Sequence, residues 1–259
     1  MTKKPDIVTA AILLIGNELL SGRTKDANLN YIARQLVVMG IHLREVRVIA
    51  DEEGDIVSAV NDLRVRYNYV FTTGGIGPTH DDITSKSIAK AMGRPYVLSK
   101  KAKSILQEYY DGLDRELNSA RLQMAHIPEG AKLIRNSISQ APGFRIENVI
   151  VMAGIPAVMR AMFEDVAGVL KCGTKTHSRS MSVMLGEGDI ATPLSDLQQR
   201  YACVEIGSYP FNKDRRFGTT LVLRGIQVEQ VNSAYEELWD IIMGLGVLPE
   251  EETASSDGT

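Results

Sequence analysis

A glycine-rich segment followed by two aspartates contains the residue types most able to do chemistry. Residues 71–84 read Phe-Thr-Thr-Gly-Gly-Ile-Gly-Pro-Thr-His-Asp-Asp-Ile-Thr. Glycines let the backbone adopt positive φ and let a ligand approach closely, and successive N–H groups ahead of a helix N-terminus attract an anion. We therefore expect this segment to bind the phosphates of a nucleotide-like ligand. The candidate phosphate-binding residues are Thr73, Gly74, Gly75, Gly77, Pro78 and Thr79.

Two common phosphate-binding loops do not match this segment. No Lys-Ser or Lys-Thr pair follows the glycines, as a Walker A loop requires, and the third glycine of the dinucleotide fingerprint is missing. A tight turn that uses glycine only to reverse the chain is the alternative interpretation. The combination of glycines, proline, threonines and aspartates favours the binding site.

Asp81 and Asp82 stand where a helix should begin. One aspartate is enough to cap a helix, and two carboxylates repel a phosphate unless a divalent cation lies between them. The sequence therefore predicts a divalent metal ion (Mg, Mn or Co), with Asp81 and Asp82 as candidate catalytic residues. His80 could indicate a histidine–aspartate hydrolase, but the other histidines lack metal-ligand spacing, so we interpret it as a loop residue.

Strands and helices must alternate to position this segment. Apolar runs predict strands at Ile7–Ile15, Glu45–Ala50 and Tyr69–Thr73, and helices capped by Asp26 and Asp55 separate them. This alternation is typical of βαβ units, in which helices cover both faces of a parallel sheet. Ligands of such sheets bind at the carboxyl ends of the strands.

Two other strand ends should lie at the same edge of the sheet. Residues 16–22, Gly-Asn-Glu-Leu-Leu-Ser-Gly, follow the first strand, and Asp51 follows the second. Either could be ordinary loop chemistry, but three adjacent strand ends would form one polar pocket. The candidate ligand-binding residues of the first segment are Gly16, Asn17, Glu18, Ser21 and Gly22.

The remainder of the first domain continues the alternation. Ser99 should cap a helix, Asn148–Ala153 should form a strand, and Pro156 should begin a helix at its N1 position. Residues 132–147 contain short β-like pieces, which predict a small hairpin on the rim of the sheet. Asn136, Pro142 and Gly143 from this segment are further candidate ligand-binding residues, placed to close the pocket over a nucleoside.

The pattern changes near Cys172. Strands are predicted at Arg179–Leu185, Cys203–Ser208 and Thr219–Arg224, and helices at Ala191–Arg200 and Val228–Met243. The resulting order, β-α-β-β-α, describes a small α+β domain. The predicted boundaries are 5–172 for the α/β domain, 174–248 for the α+β domain and 249–259 for a disordered tail.

Composition excludes several classes of function. The net charge of −3 argues against a nucleic-acid-binding protein, and residues 174–243 lack the GxxG loop that a KH-like module would need. Cys172 and Cys203 lack metal-binding spacing, so reduced core thiols are expected. No apolar run approaches the roughly 18 residues of a membrane span, and residues 1–6 lack signal-peptide features. We expect a cytoplasmic protein.

Three segments resemble the N-terminal region of CinA-type competence/damage-inducible proteins: residues 16–22, 73–84 and 141–144. Residues 206–210, Ile-Gly-Ser-Tyr-Pro, are similar to the second domain of CinA-like and FAD-synthase chains. That N-terminal region belongs to the molybdopterin-binding domain superfamily, with the MoaB/Mog proteins, gephyrin-like proteins and the hydrolase domain of eukaryotic FAD synthases. The resemblance implies a three-layer α/β/α fold with a mostly parallel sheet, a small α+β domain, and a homo-oligomer (dimer or trimer).

The resemblance also implies a reaction. In the molybdopterin adenylyltransferases the aspartates that match Asp82 and Asp51 serve metal-assisted chemistry at a pyrophosphate, so these two are the expected metal ligands. The CinA-like branch implies hydrolysis of a dinucleotide pyrophosphate such as ADP-ribose or FAD. Asp81 stands where the adenylyltransferases carry arginine, which favours the CinA-like branch.

The expected function is therefore a metal-dependent nucleotide pyrophosphatase. The alternative is a molybdopterin-binding protein or molybdopterin adenylyltransferase. Either function predicts a nucleotide or pterin as the small-molecule partner, without nucleic acid or membrane.

Overall fold

A computed structural model of the chain describes residues 7–213 and 216–252, and the chain divides between Gly173 and Thr174 into two units. The strands of the first unit are β1 (Val8–Ile15), β2 (Ile41–Ile49), β3 (Tyr69–Thr73), β4 (Tyr96–Leu98), β5 (His126–Pro128), β6 (Lys132–Ile134), β7 (Gly143–Ile146) and β8 (Val149–Met152). Its helices are α1 (Asn17–Leu20), α2 (Asn28–Val38), α3 (Glu53–Arg66), α4 (Thr84–Ala91), α5 (Lys100–Gly112), α6 (Ser119–Gln123) and α7 (Pro156–Ala167).

Six strands form the central sheet, in the order β2-β1-β3-β8-β7-β6. The pairs β1–β2, β1–β3 and β3–β8 are parallel, whereas β7 runs antiparallel to both β8 and β6. The hairpin predicted on the rim is confirmed, because β6 and β7 form an antiparallel pair at one edge of the main sheet. Its strands are short, so the sequence carries little sign of which sheet they join.

Helices cover both faces of this sheet. Along β1, Ile12 and Leu14 pack with α2 and α7, whereas Leu13 and Ile15 pack with α3 and α4. Successive strand residues point to opposite faces, so an uninterrupted apolar run is what a strand buried on both sides requires. The predicted three-layer α/β/α fold with a mostly parallel sheet is confirmed.

Local boundaries differ from the sequence predictions at a few positions. Asp55 is not the cap of α3, because the helix already begins at Glu53. Asp26 precedes Ala27, the N-cap residue of α2, but its Oδ1 still accepts a hydrogen bond from the Leu29 N–H of the first turn at 2.8 Å. The β4–β5 pair and α6 were missed because elements of three to five residues show no hydrophobic period.

The second unit is an antiparallel sheet with two helices. Its elements are β9 (His177–Val183), α8 (Glu187–Arg200), β10 (Val204–Lys213), β11 (Arg216–Gly225), α9 (Val228–Gly244) and β12 (Glu250–Glu252), and its sheet order is β10-β11-β9-β12. Ile190 and Leu197 of α8 and Leu238 of α9 are buried in one core with Met181 and Leu221 of the sheet. The predicted small α+β region is confirmed.

The predicted disorder of residues 249–259 is wrong at its start. Glu250–Glu252 form a strand against β9, and Arg179 of β9 donates to Glu251 at 2.8 Å. The acidic composition that indicated disorder is matched there by a basic partner. Residues 253–259 lie outside the described residues.

Two further expectations have different outcomes. Cys172 and Cys203 are exposed thiols, so their prediction as core residues is wrong. No helix within residues 7–213 and 216–252 has the length and apolar character that a bilayer span needs.

Gly143→Ala should lower the free energy of unfolding by about 1–3 kcal/mol. A Cβ at Gly143 would overlap the carbonyl oxygen of Val151 and lie 3.1 Å from Met162 Sδ. The matched control is Gly168→Ala, because Gly168 has ordinary helical φ and nothing within 4 Å of its added Cβ. Urea unfolding should leave the control at or slightly above the native midpoint. Equal midpoints for the two variants would contradict the packing argument.

Candidate functional site

A cavity of about 550 Å³ lies where the parallel strands end. Ile15, Asp51, Gly74 and Ala153, which end or follow β1, β2, β3 and β8, contribute to its lining. The volume falls within the roughly 300–1,000 Å³ of small-molecule sites, and the carboxyl edge of a parallel sheet is where such ligands bind.

The glycine turn after β3 connects three elements. Gly74 donates its N–H to the Met152 carbonyl at 3.1 Å, and Thr84 at the start of α4 donates its N–H to the Gly75 carbonyl at 2.9 Å. Both glycines have positive φ (104° and 67°), and a Cβ at Gly74 would overlap the Ile15 carbonyl oxygen. Only glycine satisfies both requirements.

Backbone N–H groups in this turn are available to a ligand. Within the described part of the chain, no hydrogen bond uses the N–H of Gly75, Ile76 or Gly77. All three residues line the cavity, and α4 begins a few residues later. These groups can therefore donate to an anion, as the sequence predicted for a phosphate loop.

Four carboxylates line the same cavity: Glu18, Asp51, Asp81 and Asp82. Among the described residues, no lysine, arginine or histidine lines the cavity to balance their charge. Oδ2 of Asp51 accepts from the Asn17 N–H at 2.8 Å, and Oδ2 of Asp82 accepts from the Thr79 N–H at 2.8 Å and from its hydroxyl. Each aspartate thus fixes a loop with one oxygen and keeps Oδ1 free of any hydrogen bond to the described residues.

Glycines make room for these oxygen atoms. A Cβ at Gly77 would lie 2.6 Å from Asp82 Oδ2, and one at Gly16 would lie 2.5 Å from Glu18 Oε1. A Cβ at Gly75 would overlap the Thr84 hydroxyl oxygen and lie 3.6 Å from Asp51 Oδ1. The glycines therefore serve the carboxylates as well as the turn.

Asp81 is the more exposed of the two adjacent aspartates, and hydrogen bonds favour its ionised form. The Thr79 hydroxyl, followed by the backbone N–H of Asp81 itself, holds the pKa of Asp81 below its ordinary value. Asp81 is therefore ionised at neutral pH and adds to the negative charge of the cavity. The neighbouring His80 side chain is 98% exposed and 4.0 Å from Asp81, as its interpretation as a loop residue requires.

Another part of the cavity lining is apolar. Its residues come from the loop before β7, from α7 and from the segment after α6: Met124, Ala141, Ile155, Pro156, Val158 and Met162. Methionine side chains adapt to irregular shapes, and an apolar wall suits the flat face of a base or pterin ring.

Several predicted site residues support the cavity without lining it. Asn17 and Thr79 hold Asp51 and Asp82, and the Ser21 hydroxyl donates to the Glu18 carbonyl at 3.3 Å. Thr73 is buried at the end of β3, and Gly22 has a φ of 71° in an exposed turn. Gly16, as described, makes room for Glu18.

Asn136 holds the loop before β7 in place. Its Nδ2 donates to Ser139 Oγ at 2.7 Å and to the Ala141 carbonyl at 3.1 Å, and its Oδ1 accepts from the N–H of Ile138 at 2.8 Å. Asn136 is buried and its hydrogen-bonding capacity is used, so it positions Ser139 and Ala141, which line the cavity. Pro142 and Gly143 are likewise buried beside this loop.

Sequence reasoning missed two residues that hold the site together. Asn28, buried at the start of α2, donates through Nδ2 to the Gly154 carbonyl at 2.7 Å. Gln123 of α6 donates through Nε2 to the Asp82 carbonyl at 3.3 Å. Both contacts join distant parts of the sequence, which no local pattern reveals.

Comparison with known protein families identifies the first unit. Residues 11–171 match the family described as "Probable molybdopterin binding domain". The chain belongs to this molybdopterin-binding domain family. Residues 175–251 match a second family, "FAD synthase, middle domain", so the resemblance inferred from the motifs is confirmed.

Individual relatives agree with this assignment. A protein of Metallosphaera sedula is 40% identical over 164 residues, which is 61% of this chain and 62% of that one. The "Probable FAD synthase" of Caenorhabditis elegans is 29% identical over 266 residues, covering 93% of this chain, and this chain spans about half (51%) of its length. The crystal structure of the protein CinA from Thermoplasma acidophilum, described as of unknown function, has a TM-score of 0.58 and 30% identity, covering 62% of this chain and 98% of that one.

Gly75→Ala should destabilise the protein more than Gly22→Ala does. Both glycines have φ near +70°, but a Cβ at Gly22 meets nothing within 4 Å, whereas one at Gly75 overlaps the Thr84 hydroxyl. Backbone strain alone costs about 1–2 kcal/mol, and the overlap should add about 1–3 kcal/mol. Urea unfolding of the pair measures the difference. If both variants lose the same free energy of unfolding, the close packing of Gly75 against Thr84 is disproved.

Proposed function

We propose that this protein is a metal-dependent nucleotide pyrophosphatase that acts on an ADP-ribose- or FAD-like dinucleotide. The observation that carries the proposal is the charge of the cavity. Free backbone N–H groups suited to phosphate stand beside four carboxylates, and within residues 7–213 and 216–252 no basic side chain lines the same space. A phosphate is compatible with these carboxylates only when a cation offsets their repulsion.

Two of the carboxylates offer a free oxygen of the kind that divalent ions bind. Asp51 and Asp82 each keep Oδ1 free while Oδ2 is anchored to a backbone N–H, and carboxylate oxygens are the ligands that Mg²⁺ and Mn²⁺ prefer. Asp51 and Asp82 would hold the ion. When bound, such an ion supplies a water of lowered pKa and neutralises charge on a bridging phosphate oxygen.

The remaining lining residues would bind and orient the substrate. The N–H groups of Gly75, Ile76 and Gly77 would donate to phosphate oxygens, and the apolar wall around Met124 and Met162 would pack on a base and exclude water. Asp81 would accept a hydrogen bond from the attacking water or a ribose hydroxyl, as its ionised carboxylate allows.

The similarity of residues 175–251 to the middle domain of FAD synthase supports a flavin-like or adenine-containing substrate. The nematode relative carries the name of a FAD synthase. FAD and ADP-ribose share an adenosine and a pyrophosphate. Either one would place its phosphates near the free N–H groups and its adenine against the apolar wall.

Asp82→Asn and Asp51→Asn should each reduce AMP release from ADP-ribose or FAD by at least about 100-fold, because each removes a charge that the reaction needs. An asparagine Oδ1 still accepts the anchoring N–H, so the loops keep their shape. Asp111→Asn, on the exposed surface of α5, is the matched control and should retain full activity. The assay follows AMP by chromatography with Mg²⁺, Mn²⁺ or Co²⁺. The proposal is lost if wild-type protein releases no AMP with any of these ions.

A molybdopterin adenylyltransferase or molybdopterin-binding protein is the second candidate. The family description favours it, and the apolar wall would also accept a pterin ring. We expect no AMP transfer from ATP to molybdopterin. A cationic side chain would help to bind the triphosphate of ATP, whereas Asp81 adds negative charge at this place. Detection of adenylylated molybdopterin by mass spectrometry would favour this candidate over hydrolysis.

A further inference from the structure

The side chain of Thr84 has a buried hydroxyl without a partner. Thr84 is the first residue of α4 and is fully buried. Its N–H donates to the Gly75 carbonyl, but within the described residues its Oγ1 has no hydrogen bond. An unpaired buried hydroxyl destabilises a protein, so a residue of this type at this position requires an explanation.

The Thr84 hydroxyl and the Asp51 carboxylate both lie beside Gly75. The position that a Gly75 side chain would occupy is overlapped by Thr84 Oγ1 and lies 3.6 Å from Asp51 Oδ1. Neither oxygen has a protein hydrogen-bond partner in the part of the chain that the structure describes. Two oxygens without a protein partner, one neutral and one charged, therefore lie near each other beside the glycine turn.

We propose that Thr84 is an additional ligand of the divalent ion, its hydroxyl oxygen binding together with Asp51 Oδ1. The inference rests on the proposed function, because it assumes the ion that Asp51 and Asp82 would hold. A neutral oxygen lone pair satisfies a hard cation without adding charge. The ion in turn gives Thr84 Oγ1 the partner that it lacks in the protein.

The start of a helix is a compatible place for such a ligand when phosphate binds nearby. In P-loop proteins a serine or threonine at the same helical position contacts Mg²⁺ while backbone N–H groups hold the phosphates. Here the N–H groups of Gly75, Ile76 and Gly77 have the second role, and Asp51 and Asp82 offset the positive end of α4.

The test compares the affinity of the full chain for Mn²⁺ alone, measured by electron paramagnetic resonance or calorimetry. Thr84→Val should weaken Mn²⁺ binding on the order of tenfold, whereas Thr84→Ser should bind like the wild type because it keeps the oxygen. Thr72→Val is the matched control, since Thr72 is also buried with an unpartnered hydroxyl but lies within β3, ahead of the glycine turn.

The Tm measured with and without Mn²⁺ distinguishes a metal ligand from a residue that is only structural. Because valine replaces an unpaired hydroxyl, both Thr84→Val and Thr72→Val should raise the Tm of the metal-free protein, by about 2–4 °C. Only Thr84→Val should also lose the increase in Tm that Mn²⁺ gives the wild type.

The outcomes distinguish this inference from the proposed function. If Thr84→Val binds Mn²⁺ like the wild type while Asp51→Asn does not bind, Thr84 is not a ligand and the proposed metal site stands. If the wild type itself does not bind Mn²⁺, both proposals fail. Equal weakening by Thr84→Val and Thr72→Val would show a general packing effect and overturn the role of Thr84.

Discussion

The absence of a side chain at three glycines is the constraint on which the rest of the site depends. Gly74 must approach the Ile15 carbonyl, and the places of the missing Cβ atoms at Gly75 and Gly77 are taken by oxygens of Thr84 and Asp82. Larger residues at these positions would separate β3 from β1 and displace α4 from the turn. The fold supplies the strand ends, and the glycines allow polar side chains to crowd around them.

This crowding produces a cavity with an unusual balance of charge. Glu18, Asp51, Asp81 and Asp82 line it without any basic side chain, although the adjacent turn offers backbone N–H groups suited to an anion. Hydrogen bonds from Asn17 and Thr79 orient two of the carboxylates. The site combines N–H groups suited to phosphate with carboxylates that no basic side chain of the described residues neutralises. The proposed pyrophosphatase activity therefore rests on a cation between these carboxylates and the phosphates.

The sequence was most informative where chemistry and local geometry coincide. The strand at Tyr69–Thr73, the glycine turn and the helix beginning at Thr84 were all predicted, because a buried apolar run, glycine and a helix period leave few alternatives. Asp51 and Glu18 were placed at the correct edge by the rule that parallel strands end on one side.

Other features depend on contacts that a single sequence does not reveal. Asn28 donates a hydrogen bond to Gly154, which lies 126 positions away in the sequence, and Gln123 donates one to Asp82, which lies 41 positions away. Asn136 was predicted to contact a ligand, but its amide is fully used within its own loop. The difference between a residue that lines a cavity and one that positions the lining is set by tertiary packing, as is the recruitment of Glu250–Glu252 into a sheet.

The central claim is that a cation must bridge the acidic cavity and a nucleotide pyrophosphate. Calorimetry of ADP-ribose binding to the Asp81→Asn protein, which keeps the proposed metal ligands Asp51 and Asp82, with Mg²⁺ or with EDTA, tests it most directly. The account predicts measurable binding with Mg²⁺ and a loss of affinity of at least about tenfold in EDTA, since the carboxylates then repel the phosphates. Equal affinity under both conditions would contradict it.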